Sequence, residues 1–245
     1  NSMTITVLGS GSSGNGYILR NQEEALIIEC GMPVKDALEI LQHDTNLVRG
    51  CLVTHSHGDH FGYIRQYARY FRVFATKGTY EDKGMKPDNF HLLSIAVEEP
   101  FKLGGFTIIP FITEHDTSEP CGYIIKHPDM GIMLFATDTH HLRYKFEFPI
   151  DYILIECNHT DELVAKSIGN GIIPRKVGLR AKATHMSLER CIRCLRSCNT
   201  SKTKEIILIH ISENNGNREL FRNEVAKAIG KPTICASKGD VLECF

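Results

Sequence analysis

Apolar residues in this chain gather into short runs closed by Gly, Pro, Asn, Asp or Ser, and only a few stretches carry the wider spacing of an amphipathic helix. The runs read as strands at 5–8, 17–20, 25–30, 50–54, 72–75, 91–97, 106–112, 122–127, 131–136, 151–156, 205–211, 233–236 and 241–244. Helical spacing covers 33–43, 61–71, 187–198 and 218–229, and Pro33 suits the first turn of its helix because its φ is already fixed near the helical value. Pro128-Asp129-Met130-Gly131 has the turn residues of a hairpin. Strands and helices mixed in this way predict an α/β (α+β) chain of layered sheets with helices outside, a four-layer αββα sandwich folded as one domain over 1–245.

Gly9-Ser10-Gly11-Ser12-Ser13-Gly14 spells GxGxxG after a strand. A dinucleotide fingerprint must open a helix, whose N-terminus holds the pyrophosphate. Here Tyr17-Ile18-Leu19-Arg20, a polar turn and Ala25-Leu26-Ile27-Ile28 follow, which is strand, turn, strand. The loop keeps free amides that suit an anion, with Ser12 and Asn15 as candidate substrate contacts.

Composition narrows the class. A chain of 245 residues is long enough for a sizeable core, and a formal net charge of −1 excludes a globally electropositive surface. Nine cysteines, odd in number and mostly inside apolar runs, read as reduced thiols rather than a disulfide framework. With no leader-like segment and no apolar stretch of spanning length, the expectation is a cytoplasmic protein without a membrane partner.

The most specific stretch is Thr54-His55-Ser56-His57-Gly58-Asp59-His60, directly after apolar Cys51-Leu52-Val53. Imidazole and carboxylate suit zinc, iron or manganese, and a loop leaving a buried strand can hold them at about 2.0–2.2 Å from an ion. His55 and His57 alternate, so an extended backbone points both the same way, while Asp59 and His60 fall where the chain turns into a helix. Histidine-rich runs also occur as solvated tracts, but a buried strand before and an apolar-periodic segment after are the wrong surroundings for one. His115 with Asp116, Asp138 and His210 share the address of His55, each where an apolar strand meets a loop.

The seven-residue pattern resembles the HxHxDH signature of the metallo-β-lactamase superfamily, and His115, Asp138 and His210 follow in that family's order. Ser10-Gly11-Ser12-Ser13-Gly14-Asn15, Pro120-Cys121-Gly122-Tyr123, Glu156-Cys157-Asn158-His159 and His210-Ile211-Ser212 resemble its YycJ/VicX-like subgroup, whose members are linked to nuclease, notably DNA exonuclease, activity. The resemblance implies a metallo-β-lactamase-like sandwich holding two divalent ions, zinc foremost, with manganese or iron as alternatives. His55, His57 and His115 would hold one ion, Asp59, His60 and His210 the other, with Asp138 and a water bridging them. The interval between Asp138 and His210 is too short for an inserted β-CASP domain. Glu29 stands where the family usually has Asp, at a position expected to orient the ligand loop. Thr184-His185-Met186-Ser187-Leu188 keeps the His and Ser of the subgroup's Gly-His-Leu-Ser-Asn.

The implied chemistry is attack on phosphorus by the hydroxide such an ion pair generates, with Asp59 in the catalytic set and His185 or His159 as the acid for the leaving oxygen. Charge placement suggests the substrate. Arg175, Lys176, Arg180, Lys182, Arg190, Arg193, Arg196, Lys202 and Lys204 crowd one segment with Glu189 as its only acid, and the first four are candidate phosphate contacts. In helix 187–198, Leu188, Cys191, Ile192, Leu195 and Cys198 form the inward stripe and leave Arg190, Arg193 and Arg196 outside, so at least one thiol of Cys191-Ile192-Arg193-Cys194 belongs to the core and no second pair completes a zinc site. These features point to a metal-dependent phosphodiesterase or nuclease acting on nucleic acid. The competing expectations are a thioester or lactone hydrolase on the same metals and a metal-loaded signalling module without turnover.

Overall fold

The computed structural model describes residues 2–245. The chain forms two compact units, one running to Ile112 and including Thr117–Gly131 and Ala236–Phe245, the other Thr113–Asp116 with Ile132–Cys235.

The first unit opens with β1 (Met3–Gly11) and β2 (Gly14–Arg20), then β3 (Ala25–Ile28), α1 (Val34–Ile40), β4 (Val48–Leu52), α2 (Gly58–Phe61), α3 (Ile64–Ala68), β5 (Val73–Thr76), α4 (Lys77–Glu81) and β6 (Leu92–Ile95). β7 (Phe101–Leu103), β8 (Phe106–Ile112) and β9 (Cys121–His127) follow. β1 and β2 pair antiparallel across a two-residue turn at Ser12-Ser13, so the glycine run is a hairpin and not a nucleotide loop. Strand order is β16-β1-β2-β3-β4-β5-β6, where β16 is Val241–Cys244, with parallel pairing from β3 onward. β3 and β5 are apolar without alternation because both faces of this sheet are covered. On one side Ile27, Val53 and Ala75 pack with Leu38, Phe61, Ile64 and Tyr67 of the helical segments. On the other, Phe74 stacks on Phe101 at 5.4 Å and the Tyr123 hydroxyl donates to Val53 O at 2.6 Å.

The helix expected over 61–71 is broken in two. Tyr63 N–H bonds Cys30 O at 2.9 Å, and Tyr63 itself lies outside helical geometry at φ −104° and ψ 15°. A bond to β3's exit competes with helix continuation and wins.

The second unit contains β10 (Gly131–Ala136), β11 (Phe146–Pro149), β12 (Tyr152–Glu156), α5 (Asp161–Gly169), α6 (Arg175–Thr184), α7 (Leu188–Arg196), β13 (Cys198–Asn199), β14 (Glu205–Ile209), α8 (Arg218–Ile229) and β15 (Thr233–Cys235). β10, β12, β14 and β15 pair in parallel, α7 packs on α8, and α8 on β15. α5 and α6 were not expected from the sequence. α5 is opened by Thr160, whose hydroxyl accepts from Leu163 N, with Asp161 and Glu162 in its first turn. α6 has no broad apolar stripe and buries only Gly178, so periodicity had nothing to register. No helix among the described residues is long and apolar enough to cross a membrane.

Candidate metal-binding clusters

In the first unit, β4 runs into the histidine loop, and the chain turns into α2 with His57 at its N-cap position and Asp59 and His60 in its single turn. The rings of His55 and His57 lie 5.1 Å apart and those of His55 and His60 4.2 Å apart. Glu29, fully buried at the end of β3, supports this loop. Its carboxylate accepts from Thr54 N at 2.9 Å and Thr54 Oγ1 at 2.8 Å and also bonds His60 Nδ1. Thr54 Oγ1 in turn sits 2.8 Å from His55 Nδ1. Both imidazoles are therefore held through Nδ1, which leaves Nε2 as the nitrogen for an ion. Glu29 could reach an ion beside His55 and His60, but its oxygens are already committed, and it acts as the orienting carboxylate.

Gly31 explains how tightly the loop is seated. A Cβ at this position would lie 1.7 Å from Asp59 O and 2.8 Å from Asn15 N. Gly31→Ala must push the histidine loop outward by more than an ångström. It is expected to destabilise the fold by about 1–3 kcal/mol and to weaken metal binding by about 10–100-fold. Thermal melting and a metal titration check both, and unchanged values would show that the loop position does not depend on this contact.

In the second unit, Asp138 is 2% exposed and has its two oxygens among different histidines. Oδ1 is 3.2 Å from His210 Nε2 and 3.6 Å from His185 Nδ1, while Oδ2 is 3.8 Å from His115 Nε2. The first spacing is within hydrogen-bond reach and the other two are longer, and groups this close could also share a cation. Asp138, Glu156, His185 and His210 could together hold a cation. Glu156, however, spends its oxygens elsewhere: Oε1 accepts from Thr139 N at 3.1 Å and Met186 N at 2.9 Å, and Oε2 lies 2.7 Å from His185 Nδ1 and 3.3 Å from His210 Nδ1. It plays for His210 the part Glu29 plays for His60.

Burial alone would push the Glu156 carboxyl up, but the His185 charge and the hydrogen bonds from His185 and His210 outweigh it and hold the group below its ordinary value. For His185 burial acts downward and Glu156 upward, and the carboxylate prevails. Glu29, Asp138 and His210 all have left-handed backbone, at φ 74°, 46° and 54°. Such geometry costs on the order of 1–3 kcal/mol per residue and persists where surrounding contacts enforce it.

A family model described as Beta-lactamase superfamily domain matches residues 29–211, a span that runs from Glu29 past His210. The chain belongs to this superfamily. It is a metal-dependent hydrolase of the metallo-β-lactamase type, as its strand-end histidines and aspartates imply. The chain is similar to "Exodeoxyribonuclease YycJ" of Bacillus anthracis, 27% identical over 239 residues that cover 92% of this chain and 88% of that protein. "Exodeoxyribonuclease WalJ" of Streptococcus pneumoniae serotype 2 is 25% identical over 246 residues, covering 91% and 88%. Among solved structures, the metallo-beta-lactamase fold protein YhfI of Bacillus subtilis matches with a TM-score of 0.77 at 17% identity, over 99% of this chain and all of that one. The α/β metallo-β-lactamase fold expected from the sequence is thereby established.

Other predicted residues of this superfamily member take more varied places. Ser12 is exposed in the β1–β2 turn, whereas Asn15 is 1% exposed and its Nδ2 lies 2.8 Å from Gly11 O, 3.1 Å from Asp59 O and 3.2 Å from His60 Nε2. Asn15 thus steadies the histidine loop and has no surface to offer a substrate. His159 is buried with Nδ1 3.0 Å from Asn158 Oδ1, and burial pushes its pKa down to about 4. It is neutral at pH 7, the wrong form for an acid. His185 caps α6 and is the better-placed candidate. Arg175 and Lys176 are exposed on α6, Lys182 is half-buried, and Arg180 bonds Asp116 Oδ2 at 3.0 Å, beside His115. Arg190, expected outside, is half-buried against the His140 ring. Cys191, a member of the inward stripe, is a buried free thiol, and so is Cys194, which lies outside that stripe.

Glu156 and Asn158 join the cluster without having been expected there. An acidic residue closing the buried strand Tyr152–Glu156 was the available signal for the first. Asn158 Nδ2 donates to His210 O at 2.9 Å and has no local signature.

Proposed function

We propose that this hydrolase cleaves phosphodiester bonds in nucleic acid, DNA foremost, using two divalent ions, zinc being the best match to its imidazole-rich donor set. The observation that carries this reading is the buried carboxylate of Asp138, with one oxygen near His210 and the other near His115, the disposition a carboxylate shared by two cations needs. His55, His57 and His115 would hold one ion, Asp59, His60 and His210 the other. When bound, such a pair supplies Lewis acidity at the phosphoryl oxygens and lowers the pKa of water from about 15.7 towards 7.

The chain's own residues do the rest. Glu29 and Glu156 present the correct imidazole nitrogens, and left-handed backbone aims Asp138 and His210. His185, with Nδ1 bonded to Glu156, keeps Nε2 for handing a proton to the departing sugar oxygen. Arg175, Lys176 and Arg180 on the helix that ends at His185 would hold phosphates near it without reading bases. The exodeoxyribonuclease relatives support a DNA substrate. Nine free cysteines fit a reducing, cytoplasmic compartment.

Incubation with end-labelled DNA and RNA in Mn or Zn, beside an Asp59→Ala control and a nitrocefin and ester screen, tests the assignment. Metal-dependent shortening of DNA that the variant lacks is expected. Turnover confined to the ester or lactam substrates would replace the phosphodiesterase reading with a carbonyl one.

A further inference from the structure

Outside the clusters, the first unit carries a groove that the sequence reading did not anticipate. A cavity of about 470 Å³ is lined by Gly58, Tyr63, Arg65, Lys83 and Met85 among others. A second of about 240 Å³ shares Arg65 and Met85 with it and adds Arg69. The two adjoin at Arg65 and Met85, and Gly58 in the lining of the larger one lies between His57 and Asp59 in the chain. Its mouth is open, because a Cβ at Gly58 would meet nothing within 4 Å.

The groove's chemistry is specific. Arg65, Arg69 and Lys83 are exposed, and neither guanidinium has a hydrogen-bond or ion-pair partner among the described residues. In contrast, Arg180, Arg190 and Arg193 of the basic segment are engaged with Asp116, His140 and Glu189. Tyr63, which lines the larger cavity, is 37% exposed. The one acid lining the groove, Asp88, turns its Oδ1 to the backbone N–H groups of Phe90, His91 and Leu92 at 2.8–2.9 Å. Uncommitted guanidinium groups and an exposed aromatic side chain lining adjoining cavities match a strand with unpaired bases, whose phosphates meet arginine while a base stacks. A duplex keeps its base faces stacked and would leave Tyr63 unused.

We infer that this groove is the track for single-stranded nucleic acid leading to or from the His57–Asp59 loop, with Arg65, Arg69 and Lys83 on phosphates and Tyr63 under a base. The inference rests on the phosphodiesterase reading above and adds the strand's path and its single-strandedness.

The test is fluorescence anisotropy of a fluorescein-labelled phosphorothioate oligothymidine 12-mer on the metal-loaded protein, alongside hydrolysis of bis(p-nitrophenyl) phosphate by the wild type. Arg65→Ala/Arg69→Ala should weaken binding at least about tenfold at low salt and flatten the log–log salt slope by roughly 1.4, about 0.7 per phosphate lost. Tyr63→Ala should weaken it by about fivefold or more. Lys227→Ala, on α8, should stay within about twofold, the scatter of exposed positions without a partner. A loss that appears only in Arg175→Ala/Lys176→Ala would put the strand on α6 and overturn the groove. A wild type that does not bind the oligomer would also overturn it. Wild-type cleavage of the small diester, with binding insensitive to Arg65, Arg69 and Tyr63, overturns the groove and leaves the phosphodiesterase reading standing. Groove-dependent binding without cleavage of any diester does the reverse.

Discussion

Asp138→Asn is expected to lower phosphodiester turnover by at least about a thousandfold, since an ion contributes several kcal/mol of transition-state stabilisation and each 1.36 kcal/mol is a factor of about ten. The substitution keeps the side chain's shape and, because Asn tolerates left-handed backbone as well as Asp, suits φ 46°. It removes the charge and replaces one oxygen by an amide nitrogen, so one of the two histidine-facing positions, towards His210 or His115, loses its donor to an ion. Metal content by plasma mass spectrometry should fall in step with activity, while the melting temperature of the metal-free protein should change little. A variant that retains full metal and a rate within about tenfold of wild type would remove Asp138 from the ligand set.

Glu156→Gln should be the most damaging single change outside the ligands themselves. Glu156 is fully buried and gathers Thr139 N, Met186 N, His185 Nδ1 and His210 Nδ1. With Oε1 still accepting from the two backbone amides, the new NH₂ faces two ring nitrogens. Either those nitrogens remain donors and are left without an acceptor, or the rings change tautomer and put a proton on His210 Nε2, the nitrogen nearest Asp138. Breaking a buried charged network in this way costs on the order of 3–5 kcal/mol, and a displaced ligand proton costs about 10–100-fold in metal affinity. Urea denaturation of the metal-free protein reads the first effect and a zinc titration the second. Stability within about 1 kcal/mol of wild type together with unchanged affinity would mean that Glu156 orients neither histidine, because each lost buried hydrogen bond should cost about that much.

How much of this was readable beforehand depends on the range of the interaction. His55, His57, Asp59 and His60 stand within one loop, and His115, Asp138 and His210 each follow an apolar run, so residue type and strand end together marked them. The strand at 106–112 and the helix at 218–229 emerged with the expected boundaries because their own periodicity and caps define them. The segment 61–71 did not, since Cys30, far back in the chain, takes the amide of Tyr63. α6 escaped notice because a helix that buries little more than a glycine against α5 leaves no stripe in the pattern.

By itself the sequence determined which strand ends carry imidazole and carboxylate groups, the strand-and-helix alternation and the basic run around His185, all properties carried by neighbouring residues or by a period of two or 3.6. Only the tertiary structure decided that Glu29 and Glu156 hold the imidazoles by Nδ1, that Asn15 serves the loop, that Gly31 must lack a side chain, that Arg65 shares a cavity with Gly58 and that Arg69 lines the one adjoining it. Those are contacts between residues distant along the chain. A buried polar group takes whichever partner the folded backbone brings within about 3 Å, and no local pattern records which one that is.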